Sequence, residues 1–302
     1  MTQANHKRIY AALTALAVVG TFEGLIAILN LNQPQLFFKT GFYAGLFYII
    51  YVALIYDLHY KDRSGFSASF SAIAARFKHL LDFKFIREWL HYLILPGLIY
   101  WGSLAVFFLN FGFPKIQQLV AVFSSAAFLV NYLYLKEIFR RGKETVDRDI
   151  FVALSVVKIY ASTLVFGAAL ALVRSYCLSS WFLGAGIFAL SFLLIYQALF
   201  QHRLINYKNL TASLLMSLAM SAISFFVLVF WGYNYFTAAV FLAACFNLMW
   251  GIFHYHLDHA LTWQAFWEIL VINALIAGMV FGVTNFRAKV FNACSYRFKT
   301  NK

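Results

Sequence analysis

Residues 210–230 read LTASLLMSLAMSAISFFVLVF, a run with no charged side chain from end to end. Spanning the roughly 30 Å hydrocarbon core of a bilayer takes about 20 mostly apolar residues in a helix rising about 1.5 Å per residue. This run meets that length. Its apolar residues are continuous rather than alternating, which selects a spanning helix over a barrel strand. Runs of the same kind recur at 9–30, 41–56, 91–110, 117–135, 150–173, 181–200, 236–253 and 263–283.

The composition agrees. Of 302 residues, 63% are hydrophobic and only 12% charged, against about 25% charged in soluble domains. The chain is therefore read as all-α and polytopic, with nine transmembrane helices, or eight plus a re-entrant segment among the last three runs. The first run, 9–30, is too long for a signal peptide and has no small-x-small cleavage site, so it reads as a helix that stays. No linker or low-complexity tract divides residues 1–302, which read as one membrane domain.

Between the second and third runs, Phe66, Phe70, Ile73, Phe77, Leu80 and Leu81 recur at helical spacing, with Arg76, Lys78 and His79 elsewhere on the wheel. The pattern predicts an amphipathic helix over 66–82, lying in the interface within a cytoplasmic loop. It fits equally a helix packed on the end of the bundle.

The net charge of +13 sits almost wholly in loops and ends. The N-terminus and the loops after spans two, four and six hold nearly all the loop Lys and Arg, which puts the N-terminus in the cytoplasm and the protein in the plasma (inner) membrane. This explains the basicity without a nucleic-acid partner. Nine full crossings then leave the basic tail, 286–302, outside, against the charge rule; a re-entrant segment would return it inside. The cysteines, Cys177, Cys245 and Cys294, are odd in number and far apart, and imply neither a disulfide framework nor a zinc knuckle. Asn209-Leu210-Thr211 matches a glycosylation sequon, but Asn209 is better read as a helix N-cap.

Three features could carry chemistry. The stretch 253–259, FHYHLDH, gathers His254, His256, Asp258 and His259 at the end of an apolar run. Neutral imidazoles and a carboxylate suit a divalent zinc, iron or manganese ion, with the three histidines as ligands. On a continuous helix His254 and Asp258 lie about 40° apart and His256 and His259 about 60° apart, the two pairs on different sides. One three-histidine site therefore needs the helix to unwind near Tyr255. His59, His202 and Glu268 are the other residues at that level. The competing reading is an ordinary interfacial loop. No adjacent histidine pair exists in the chain, so the boxes of membrane di-iron hydroxylases are absent.

The second feature is the pair Glu23 and Lys158, each inside an apolar run. A lone charge in hydrocarbon costs at least about 2.5 kcal/mol on insertion scales, so each is expected to face the bundle interior or a cavity. The third is a ladder of Ser213, Ser217, Ser221 and Ser224 which, like Gly41/Gly45, Gly167/Ala171 and Gly278/Gly282, is read as a close-packing seam. Phosphate loops, nucleophile elbows and H-E-x-x-H helices are missing, which excludes a pump carrying its own ATPase.

These residues support three expectations. The first is a protein that binds or transports a small or amphiphilic solute, with Glu23 and Lys158 in the pathway. The second is a metal-dependent enzyme acting on lipid or isoprenoid substrates, with His254, His256, Asp258 and His259 as its catalytic set. The third is a non-catalytic subunit of an oligomer or larger membrane complex. The lipid bilayer is a partner in all three.

Overall fold

The computed structural model describes residues 3–60, 83–141, 148–201, 204–231, 234–257 and 261–284. These form nine helices and no strand: α1 (Gln3–Asn30), α2 (Pro34–Tyr60), α3 (Phe83–Leu109), α4 (Pro114–Arg141), α5 (Arg148–Ser175), α6 (Ser180–Gln201), α7 (Tyr207–Phe230), α8 (Tyr235–Leu257) and α9 (Trp263–Val283). Seven helical stretches among the described residues are long and apolar enough to cross a membrane, and Thr14–Asn30 is a shorter apolar one. The protein is a multi-pass helical membrane protein.

Helix ends follow from local chemistry. Pro34 and Pro114 are the first residues of α2 and α4. Proline at that position gives up an N–H that no helical carbonyl could accept, and its fixed φ suits the first turn. Pro96 sits inside α3 without ending it. Asn32 (φ 58) and Gly112 (φ 85) supply the left-handed residues that turn α1 into α2 and α3 into α4. The N-cap of α7 is Asn206 rather than Asn209: its side chain accepts from the Asn209 N–H at 2.8 Å. Asn209 is one turn further in, where its Nδ2 donates to the Leu204 carbonyl at 2.7 Å.

The last three helices are uninterrupted, at 24, 23 and 21 residues. At 1.5 Å per residue they measure about 32 to 36 Å. None has the break that a re-entrant segment requires. The proposed 66–82 helix and the 286–302 tail lie outside the described residues.

The chain divides into two compact units, Met1–Lys158 and Ile159–Lys302. In the first, α1 packs on α2 and α4, and α3 on α2 and α4. Phe22, 1% exposed, is its centre, with ring centroids 6.1 Å from Tyr100, 5.6 Å from Phe107 and 5.9 Å from Phe128. Polar contacts join the same helices: Ser103 and Ser124 share a 2.6 Å hydrogen bond across α3 and α4.

In the second unit, α6 packs along α7, α7 meets α8, and α8 meets α9. Trp231, just past α7, is 1% exposed, and its ring lies 5.0 Å from Phe241 of α8 and 5.2 Å from Phe281 of α9. Its indole N–H donates to Thr237 Oγ1 at 2.9 Å, and its carbonyl accepts from Arg174 Nη2 at 2.6 Å. A buried tryptophan needs such a partner for its N–H. One residue thereby ties the ends of α5, α7, α8 and α9. Cys177 is disulfide-bonded, while Cys245 is a free thiol.

Candidate functional site

The first unit contains a cavity of about 300 Å³. Thr14, Ala17, Val18 and Thr21 line it from α1, a single strip at helical spacing. Ala44, Phe47 and Tyr48 face them from α2, and Phe22, Tyr100 and Phe128 close it. It exists because alanine and threonine stand where larger side chains would let the two helices touch. The aromatic floor is rigid: Tyr48 meets Phe128 edge-on at 5.0 Å, and Phe22 stacks with Tyr100.

Two of its hydroxyls have their protons committed. Tyr100 donates to the Gly41 carbonyl at 2.6 Å, and Thr21 Oγ1 donates to the Ala17 carbonyl at 2.8 Å. Both can still accept. None of the residues lining the cavity is charged. Such a space suits an uncharged, apolar group held by dispersion contacts rather than an ion.

Glu23 is not among the lining residues. At about 100° per residue it points away from the strip formed by Thr14, Ala17, Val18 and Thr21, on the opposite flank of α1. There its Oε2 accepts a hydrogen bond from Gln118 Nε2 of α4 at 2.9 Å. The amide helps to hold a half-buried carboxylate about 10 Å from the helix end, where bare hydrocarbon would penalise it. Lys158 is 8% exposed, on a face of α5 shared with the buried Leu154, Ala161 and Ser162.

The histidine stretch divides between described and undescribed residues. Helix α8 runs unbroken through Tyr255 to Leu257. His254 and His256, two positions apart on it, therefore diverge by about 200°. His254 is half-buried with its ring 5.5 Å from Trp250, and His256 is exposed. Asp258 and His259 lie outside the described residues, as does His202; for His59 only the backbone is described. No group of three metal-ligating side chains occurs among the described residues. Glu268 accepts from Gln264 at 2.9 Å, one turn earlier in α9. The polar residues that precede the histidines on α8 face α9: Asn247 Nδ2 donates to Asn273 Oδ1 at 3.3 Å, and a β-carbon on Gly251 would lie 3.4 Å from Ile269.

The serine ladder is a seam. Ser213, Ser217 and Ser224 are fully buried, and their hydroxyls return to the carbonyls of Asn209, Ser213 and Ser221 within α7. Ser221 crosses to α6, donating to the Gly184 carbonyl at 2.9 Å.

The cavity went unread in the sequence, although a signal existed: small residues on α1 at the spacing of one helix face. That signal has the same form as a packing seam, and only the facing helix separates a contact from a gap. No protein-family model, no curated protein and no solved structure matches the chain.

Proposed function

We propose that this membrane protein holds the apolar part of an amphiphilic solute in the cavity between α1 and α2. The observation that carries the reading is the cavity itself, about 300 Å³, apolar, uncharged and lined from α1 within its apolar stretch Thr14–Asn30 and from α2. Inside a bilayer an empty apolar space is filled by the nearest chain, so selectivity rests on shape and on the acceptors at Thr21 and Tyr100. Glu23 and Lys158 are the residues through which binding would extend to transport, because charges kept inside membrane helices mark solute routes more often than not.

The test is photolabelling of the purified protein in lipid nanodiscs with a long-chain alcohol carrying a diazirine. Labelling is expected on α1 and α2. Ala44→Phe, which fills the cavity, should lower it at least about tenfold, equivalent to about 1.4 kcal/mol of binding. Leu16→Phe, on the 68% exposed side of α1, should leave it unchanged. Equal labelling of both variants would reject the cavity as the site. Flux into liposomes, lowered by Glu23→Gln or Lys158→Met while labelling persists, would make binding the first step of transport.

A further inference from the structure

Resting on the cavity reading proposed above, we infer that the cavity opens sideways into the bilayer between α1 and α2. It takes the end of a long acyl chain from a lipid already resident in the membrane. Two of the residues that line the space also lie on the protein surface. Phe47 is 73% exposed and Ala17 is exposed, so each shows one side to the cavity and another to the surroundings. At about 100° per residue, Gly20 and Gly24 fall on the same side of α1 as Ala17. A β-carbon on either would have nothing within 4 Å, so open space adjoins that side. The inner end is closed: Phe22 is 1% and Tyr100 6% exposed. The cavity therefore has a mouth on the flank of the helices and a floor in the core.

The two helices behind the floor give its depth. Tyr100 is the middle residue of the spanning stretch His91–Leu109 in α3. Phe128 lies about 6 Å past the middle of the stretch Pro114–Tyr134 in α4. Ala44 and Tyr48, on the facing wall, flank the middle of α2 (Pro34–Tyr60). The cavity thus sits near the bilayer centre, about 15 Å from either edge of a hydrocarbon core about 30 Å thick. At that depth the mouth meets lipid chains and not water.

Depth also selects the occupant. A short amphiphile lying wholly within the cavity would hold its polar head near the bilayer centre, away from water, which is costly. A long chain keeps its head at the surface and brings only methylene and methyl groups to this level. The lining suits such a chain end. The hydroxyl protons of Tyr100 and Thr21 are given to the carbonyls of Gly41 and Ala17, so neither donor is left unpaired against hydrocarbon. Phe22, Tyr48 and Phe128 offer fixed ring faces for dispersion contact. Entry from the side moves the chain from one hydrocarbon surrounding to another. Packing against the rings is then what favours the bound chain, because burial from water contributes nothing.

The experiment photolabels the full chain in nanodiscs with a two-chain phosphatidylcholine that carries a diazirine near the methyl end of one chain, or beside its ester. Such a lipid stays in the bilayer and reaches the cavity only through a lateral mouth. The methyl-end probe is expected to label Phe22 and Tyr100, which are buried and reached from inside the cavity. The ester-side probe should label them at least about tenfold less. Ala17→Phe, which narrows the mouth, should lower methyl-end labelling to a similar extent, and Leu16→Phe, on the outward side of α1, should not. Equal labelling of Phe22 and Tyr100 by the two probes would overturn the chain-end assignment. Undiminished labelling in Ala17→Phe would overturn the lateral mouth. A long-chain alcohol that labels the cavity where the phospholipid does not would overturn this inference and leave the cavity reading standing, whereas failure of both probes would reject that reading as well.

Discussion

Tyr100 serves the first unit twice, as a wall of the cavity and as the donor that joins α3 to the Gly41 carbonyl of α2. Tyr100→Phe removes the hydrogen bond and keeps the ring. Interhelical hydrogen bonds in bilayers average about 0.6 kcal/mol and reach about 1.7, so the variant should lose about 1 kcal/mol in an SDS-unfolding titration while photolabelling persists. Glu23→Gln probes the other flank of α1. Its amide oxygen can still accept from Gln118, and the charge is gone from a half-buried site. Labelling of the cavity should be unchanged, and a loss would bring Glu23 into the binding path. The sequence showed Glu23 as out of place, because a carboxylate in an apolar run is costly wherever it lies. It could not show Gln118, 95 residues away, because hydrogen bonds across helices leave no periodicity behind.

Between helices, the deciding quantity is what faces each small residue. Gly184 and Gly186 lie two positions apart on α6 and look alike in the sequence. A β-carbon on Gly184 would come within 2.6 Å of the Phe225 ring and 3.1 Å of Ser221 Oγ, whereas one on Gly186 would have nothing within 4 Å. Gly184→Ala should therefore cost roughly 1 to 3 kcal/mol through overpacking of the α6–α7 seam. Gly186→Ala should be neutral or stabilise by up to about 1 kcal/mol, because alanine loses less backbone freedom in a helix. Equal effects in a thermal-shift assay would contradict the seam. The same distinction separates the glycine pairs taken together from the sequence. Gly41 and Gly45 sit against Leu104 and Tyr100 of α3, but Gly278 and Gly282 of α9 face open space. Helix existence was legible because each run needs only its own residues to declare itself. Which small residues make contact was not, because spacing specifies a face and never its neighbour.

For the whole molecule, orientation turns on how many of the nine helices among the described residues cross the membrane. If each crosses once, the two chain ends are expected on opposite faces, and the basic residues Arg287, Lys289, Arg297, Lys299 and Lys302 on the side opposite the N-terminus. Charge counting alone leaves this arrangement in conflict, since those five residues pull inward. Continuity of α7, α8 and α9 removes the re-entrant alternative, and early segments usually dominate orientation over late ones. A phosphatase reporter that folds only outside the cytoplasm should therefore be active when fused after Lys302 or within 176–179, and inactive within 142–147 or 202–203. A fluorescent protein that matures only inside should give the inverse pattern. Because α8 and α9 frame the histidine stretch, a reporter within 258–260 also places that stretch, and the expected result is the cytoplasmic face. A tail found inside would require one of the nine helices not to cross, and α9 would be the first to examine, since only 11% of its span is buried within the protein.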